Sequence, residues 1–352
     1  MKVALLYNQK PEIDSGISRY ASDEYAEWDN PETIQAVAGA LRRHPAVSEL
    51  IMIDCHPKRI RAIVETLEQT KPDICFNIAE GIGLPSREAQ IPALLDLMGI
   101  PYTGSDPATL CITLDKARTK EVLAYYGIPT PHFQVVASHQ EAEQCVQHTH
   151  TYPLIVKPLH EGSSKGIFER SVVYSAKELQ AQLQEVLMRY HQPALVEQFL
   201  PGREFTVGLL GNANAVEVLP IVELSFEQLP KESRRIYSYE AKWLWDDPSR
   251  PVEVFLCPAP IETDLGEEIA RLCRQAFQVL RCRDWARIDV RLDSNHQPHI
   301  LEVNPLPGIL PNPDEHSCLP MAARQAGLSY DALIQRVLDE ALKRYALAHS
   351  TR

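Results

Sequence analysis

No apolar run in this sequence approaches the ~18 residues that a membrane-spanning helix needs, and no membrane partner is expected. The opening MKVALLYNQK reads as a short strand, not as a charged segment followed by an apolar signal core. A C-x-x-C pair and a His-Cys cluster are also missing. The eight cysteines are scattered at 55, 75, 111, 145, 257, 273, 282 and 318. That pattern argues against a disulfide framework or a zinc module and fits free thiols in a reducing compartment, the cytoplasm. Basic residues are in deficit: 35 Lys and Arg against 47 Asp and Glu leave a formal charge of -12. Such a balance disfavours a binder of phosphate backbones, so no nucleic-acid partner is expected, although a local basic cleft can still hold a nucleotide. The first strand is not followed by G-x-G-x-x-G, and no G-x-x-x-x-G-K-[ST] occurs, so neither a dinucleotide fingerprint nor a P-loop is present.

What is there is a chain of 352 residues, 45% hydrophobic, long enough for two or three domains with real cores. The first hundred residues alternate strand-like and helix-like segments: KVALLY, a helix from about Pro31, SELIMID, IRAIVETLEQT and PDICFNIA. This is the rhythm of a parallel sheet with helices on its faces, and such sheets place ligands at the carboxyl ends of their strands. The segments NIAEGIGLPSRE (77–88) and TGSD (103–106) would lie there. A helix is expected over 114–126, ended by Gly127. The middle of the chain reads strand, glycine-bearing loop, strand, helix and two strands, a small α+β unit. The last section adds a loop rich in Arg, Tyr and Trp (233–250), a helix (262–281), a hairpin, a Pro-rich loop (305–313) and a helix (328–347).

The hairpin carries the sharpest chemistry. In ARIDVRL (286–292), Arg287, Asp289 and Arg291 point one way and Ile288, Val290 and Leu292 the other, the pattern of a half-buried strand. DSNHQP (293–298) forms a turn, and HILEVN follows. If Leu292 pairs with His299, Asp289 comes to lie opposite Glu302 and Arg287 opposite Asn304. Two facing carboxylates repel. A divalent cation removes that penalty, and an Asp, Glu and Asn set suits magnesium (or manganese) brought in with substrate phosphates.

Two lysines stand where anionic oxygens could meet them: Lys157 at the end of the apolar strand LIVKP, and Lys116 at a helix start in LDKARTK. The loop EGSSKG (161–166) holds Ser163 and Ser164 between glycines, so backbone N–H groups and hydroxyls could close over a triphosphate. VEQFLPGRE adds Glu197, the apolar Phe199 and Leu200, and Glu204, a connector that suits an adenine and a ribose.

Taken together and in this order, these stretches resemble the ATP-grasp ligases, and within them those similar to D-alanine-D-alanine ligase. The likeness runs from about Pro72 to Ala326 through GIPYTGSD with LDK, LIVKPLHEGSSKGI, VEQFLPGREFTV, YEAKW with CPAPI, and ARIDVRLD with LEVNPLPG. It implies an ATP-grasp fold of mixed α/β and α+β class, in which an N-terminal parallel-sheet domain (1–115) joins two α+β subdomains (116–203 and 204–352) that clasp ATP. By the same resemblance, Lys116 and Lys157 contact ATP phosphates, and Ser163 and Ser164 belong to the phosphate lid. Glu197, Phe199 and Leu200 form the adenine hinge, and Glu204 takes the ribose. Lys242 is a phosphate contact on a mobile loop. Asp289, Glu302 and Asn304 bind magnesium, and Arg287 stabilises the tetrahedral intermediate. A homodimer acting on small-molecule amino acids is implied as well.

Departures from the family pattern fall on the substrate side. The N-terminal glycine-rich turn with its ammonium-binding Glu is replaced by YNQKPEIDSGISRY, and AEGIGLPSREAQ puts Glu80, Arg87 and Glu88 in an altered wall. Trp243 stands where Tyr is usual, and the loop after Gly308 is longer, with Ser317 the nearest match to the family's serine. Retained ATP residues beside a remodelled substrate wall point to a specialised ADP-forming amino-acid ligase, of natural-product type such as those of mycosporine-like amino acids. The alternatives are D-alanine-D-alanine ligase of cell-wall synthesis, a non-ligase ATP-binding module, and a small-molecule kinase.

Overall fold

The computed structural model describes residues 1–11, 25, 27–83, 85–226, 234–236 and 254–347. The chain opens with β1 (Lys2–Tyr7), α1 (Pro31–Arg42), β2 (Glu49–Asp54), α2 (Ile60–Thr70) and β3 (Ile74–Asn77). The strands form a parallel sheet in the order β2-β1-β3. α1 starts where Asn30 accepts from the Thr33 amide and Pro31 supplies a pre-set first turn. Three helices follow: α3 (Gln90–Met98), α4 (Pro107–Leu114) and α5 (Lys116–Tyr125). The single helix expected over 114–126 is therefore a break between two. Asp115 leaves helical geometry to cap α5, accepting from the Ala117 and Arg118 amides, and this cap places Lys116 at the first helical position.

The next unit contains β4 (Phe133–Val136), α6 (His139–His148), β5 (Leu154–Pro158), β6 (Val172–Val173), α7 (Ala176–Arg189) and β7 (Ala194–Gln198). Its antiparallel sheet runs β4-β7-β5-β6. β4 and α6 have no counterpart in the elements expected from the sequence, because β4 is four residues long and HQEAEQCVQH is polar over most of its surface.

The third sheet is built from β8 (Glu204–Gly211), β9 (Glu217–Val218), β10 (Val222–Leu224), β11 (Phe255–Leu256), β12 (Asp284–Leu292) and β13 (Pro298–Asn304), with α8 (Thr263–Val279) between β11 and β12. The strand order is β11-β10-β8-β12-β13, and β9 pairs with β8. β12 is thus a central strand, not a half-buried one: Ile288 and Val290 pack in the core with Leu272 and Phe277 of α8, and Arg291 on the opposite face is only 4% exposed.

Two helices close the chain, α9 (Cys318–Gln325) and α10 (Tyr330–Arg344). α10 returns to the beginning of the molecule. Leu338, Ala341 and Leu342 share one buried cluster with Leu5, Ile34 and Leu41. Around that apolar contact, His44 lies 3.0 Å from Asp339, Gln335 donates to the Ala40 carbonyl, and Arg344 donates to Asp284 and to the Tyr102 carbonyl. No helix among the described residues is long and apolar enough to cross a membrane.

Candidate active site

A cavity of about 360 Å³ lies where the three sheets meet. Its floor is the β12–β13 hairpin. The register places Asp289 opposite Glu302 and Arg287 opposite Asn304, yet the turn end pairs Leu292 with Pro298 and not with His299. The two facts are reconciled by a bulge beside Asp289 and Val290, where Leu301 is the extra residue on β13. A strict hairpin from the true turn would have shifted Glu302 by one residue and sent its side chain to the other face.

Across this hairpin Arg287 lies 3.0 Å from Asp289 and 3.5 Å from Glu302, and Thr206 donates to Asp289. The Asn304 amide nitrogen stands 3.4 Å from each carboxylate. Burial pushes Asp289 up to about 6, and Glu302 adds to the rise against the pull of Arg287. Burial pushes on Glu302 as well, but Lys116, Lys157 and Arg287 outweigh it and hold that carboxyl well below its ordinary value. Two carboxylates and an amide whose oxygen can turn inward are hard-oxygen donors, so they fit a magnesium ion that draws its other ligands from phosphate and water. Among the described residues no group of three or more His, Cys, Asp or Glu side chains could hold a metal alone.

Facing the hairpin are lysines. Lys116 Nζ is 3.7 Å from Glu302 and donates to the Glu161 carbonyl at 2.5 Å. Lys157, at the end of β5, is paired with Glu197 at 2.6 Å. Lys120 is fully buried and meets the same carboxylate at 2.7 Å. It also donates to Thr130 Oγ1 and to the carbonyl of the bulged Leu301, so the bulge is anchored by a lysine from α5. The Glu197 side chain thus orients two ammonium groups.

The loop after β5 brings Ser163 and Ser164 to the cavity with φ of 50° and 59°. Consecutive left-handed non-glycine residues cost about 1 kcal/mol each or more, strain of the kind held at ligand clamps. At the far end of the cavity, Phe199 and Leu200 connect β7 to β8, and Glu204 is bound by Arg291 at 2.7 Å. The Arg291 guanidinium lies 4.7 Å from the centre of the Phe199 ring and donates to the Arg235 carbonyl. Burial raises the Glu204 carboxyl above its ordinary value in spite of Arg291.

Glu80 and Glu88 line the remaining side of the cavity. Burial pushes Glu88 up to about 7 against Arg87, and burial with the neighbouring Glu88 and Glu27 charges raises Glu80 well above its ordinary value. Arg87 is paired in bidentate fashion with Glu27. Gly308 lines the cavity, and the Ser317 hydroxyl donates to its carbonyl at 3.0 Å. Lys242 and Trp243 lie outside the described residues.

Residues 122–339, more than half of the chain, match the family model described as D-ala D-ala ligase C-terminus. The chain belongs to the D-alanine-D-alanine ligase family. A D-alanine-D-alanine ligase of Marinobacter nauticus is 38% identical over 280 residues, covering 80% of this chain and 78% of its own. An uncharacterized protein of Sinorhizobium fredii is 36% identical over 293 residues, covering 81% of this chain and 82% of its own. The crystal structure of D-alanine-D-alanine ligase from Bacillus anthracis complexed with ATP aligns over 99% of both chains with a TM-score of 0.68 at 20% identity, which shows the ATP-grasp fold. The protein is an ATP-dependent, ADP-forming ligase that makes a C–N bond.

Three residues of this ligase's site carry no role in the expectations drawn from the sequence: Glu27, Lys120 and Arg291. Lys120 sits four positions after Lys116, hence on the same helix face, and Arg291 sits two after Asp289, hence on the same strand face. Those spacings were available signals. Glu27 had none, because its partner Arg87 is 60 positions away.

Proposed function

We propose that this ligase joins two small amino acids into a dipeptide, with D-alanine as both donor and acceptor. The observation that carries the reading is the convergence of Lys116 and Lys157 on a hairpin whose Asp289, Glu302 and Asn304 face the same cavity as Arg287. The extent of likeness to enzymes named D-alanine-D-alanine ligase supports it. The specialised natural-product reading has less support and yields to it.

In this scheme the donor carboxylate attacks the γ-phosphorus of ATP, the bond to the β-phosphate oxygen breaks, and ADP leaves. The acceptor amine then adds to the acyl phosphate carbonyl, forms the C–N bond and expels phosphate, losing a proton. Lys116 and Lys157 act as fixed point charges on the phosphoryl oxygens, and Glu197 holds Lys157 in place. Arg287 donates to the oxyanion of the tetrahedral intermediate. Magnesium or manganese, held by Asp289, Glu302 and Asn304, would offset negative charge on the phosphates. Ser163 and Ser164 cover the phosphates, Lys242 is a further phosphate contact, and Phe199, Leu200 and Glu204 receive adenosine. Glu80 and Glu88 face the substrate amino group, while Gly308 and Ser317 shape the acceptor pocket with Trp243. A cytoplasmic homodimer goes with this reading.

The test is ADP release from magnesium-ATP with single and paired amino acids, D-alanine among them, with mass spectrometry of the products. Dipeptide formation from D-alanine alone is the expected result. Turnover confined to other donors or acceptors would overturn the substrate assignment.

A further inference from the structure

Arg87, expected in the substrate wall, is not among the residues that line the cavity, and its guanidinium is already committed. Nε and Nη2 donate to the Glu27 carboxylate at 3.1 and 2.7 Å, Nη1 donates to the His160 carbonyl at 2.8 Å, and the side chain is 5% exposed. A residue offered to a substrate would keep an open edge. These partners lie far apart in the chain. Glu27 precedes α1, Arg87 precedes α3, and His160 immediately precedes the EGSSKG loop. Glu27 reaches the same loop: a methyl group at Gly162 would collide with its carboxylate.

The loop's base is otherwise tied within the nucleotide-binding part. Gln192 accepts from the His160 amide and donates to Glu161, and Lys116 holds the Glu161 carbonyl. Arg87 adds a tie from the turn before α3, and the segment behind it is stiff. Gly81 has φ of 68°, and a Cβ there would lie 2.6 Å from the Arg87 carbonyl oxygen. Trp28 donates to the Gly81 carbonyl, and the Gly81 amide donates to Asn8.

We propose that Arg87 and Glu27 form a latch that docks the base of the phosphate loop onto the donor-substrate wall, so that Arg87 positions the loop and does not bind substrate. The chemistry gives such a latch a purpose, because an acyl phosphate exposed to water hydrolyses before the amine can use it. A loop tied to the wall stays over the phosphates while the donor is activated. The purpose rests on the ligase reading; the latch itself does not.

The test is amide hydrogen exchange over residues 160–166 in the full chain with magnesium and a non-hydrolysable ATP analogue, comparing wild type with Arg87→Met and Glu27→Gln. Loss of charge-assisted hydrogen bonds should speed exchange in that segment about tenfold or more, with α5 and the hairpin unchanged. Where substrates turn over, phosphate released per amide formed should rise while the donor KM moves little. Wild-type exchange over 160–166 in either folded variant would overturn the latch. So would a large rise in donor KM with unchanged exchange, which would make Arg87 a substrate ligand. Should Arg87→Met fail to fold, Glu27→Gln and Gly162→Ala carry the same comparison. The exchange measurement needs no amino-acid substrate, so a ligase inactive on D-alanine would remove the proposed function and leave the latch to be judged by exchange alone.

Discussion

Removing the charge of Glu197 should destabilise this ligase far more than removing one of the two charges it serves. Lys120, Glu197 and Lys157 are 0, 1 and 6% exposed, and the carboxylate lies 2.7 and 2.6 Å from the two ammonium groups. Burial alone would push the Glu197 carboxyl up, but the paired lysines outweigh it and hold it below its ordinary value. Burial pushes Lys120 down to about 8 against the pull of Glu197. Glu197→Gln keeps the shape and leaves two neighbouring ammonium groups without their shared counter-charge, which costs about 3–5 kcal/mol. Lys120→Met leaves Glu197 balanced by Lys157 and forfeits the bonds to Thr130 and Leu301, about 1–3 kcal/mol. In scanning calorimetry the first substitution should lower the unfolding temperature by roughly 4–7 °C and the second by about 1–4 °C. A saturating ATP analogue should recover part of the Glu197→Gln loss, since its phosphates bring negative charge to Lys157. Unfolding of Glu197→Gln within about 2 °C of wild type, or equal damage from Lys120→Met, would refute the shared counter-charge.

Glu302→Ala should cut turnover by about 10²-fold or more in a coupled ADP assay and also lower the unfolding temperature, because Lys116 and Arg287 lose a counter-charge; normal activity would sink the hairpin assignment. Burial pushes Asp29 up to about 7 against the pull of Lys10. The folded chain keeps that proton between about pH 4 and 7 while the unfolded chain gives it up, so the contribution is present at low pH and is lost as pH rises, at most about 1.4 kcal/mol per unit. Urea midpoints at pH 5 and 8 should therefore differ less for Asp29→Asn than for wild type, and an equal difference in both would refute the shift. Gly202→Ala would place a Cβ 2.6 Å from the Leu292 carbonyl oxygen, in the connector beside Phe199 and Leu200. It should cost about 1–3 kcal/mol and raise the KM for ATP, and unaltered values of both would show that the connector yields freely.

Much of what gathers around the cavity could be read in the chain because it is local. A lysine at a helix start, another at a strand end and two serines between glycines are each readable within ten residues. The hairpin is more instructive. Strict alternation from Glu302 would place Ile300 on the cavity side, but Ile300 is fully buried in the core and Leu301 faces the cavity. Two adjacent apolar residues in HILEVN were the mark of the bulge, and the pairing at Asp289 came out as expected only because the displaced turn and the bulge offset each other. The burial of Lys120 has no local signal because a lysine is seldom fully buried unless paired, and its partner Glu197 lies 77 positions away on β7. The segment AEGIGLPSREAQ gave no sign of the network it joins. Arg87, Glu27 and His160 meet only through the tertiary fold, and no periodicity in AEGIGLPSREAQ announces where its arginine points.

The return of α10 to the first helix bears on how such an enzyme could be recombined. The family-matched stretch ends at residue 339, inside α10, and the remainder of that helix helps bury Leu5, Ile34 and Leu41. A chimera that takes the opening sheet and α1 from one parent and the rest of the chain from another would therefore join two halves of one core, α1 from the first parent against α10 from the second. Exchange of the opening sheet between relatives has to carry both helices together, so this fifteen-residue helix travels with that sheet although the rest of the chain separates them.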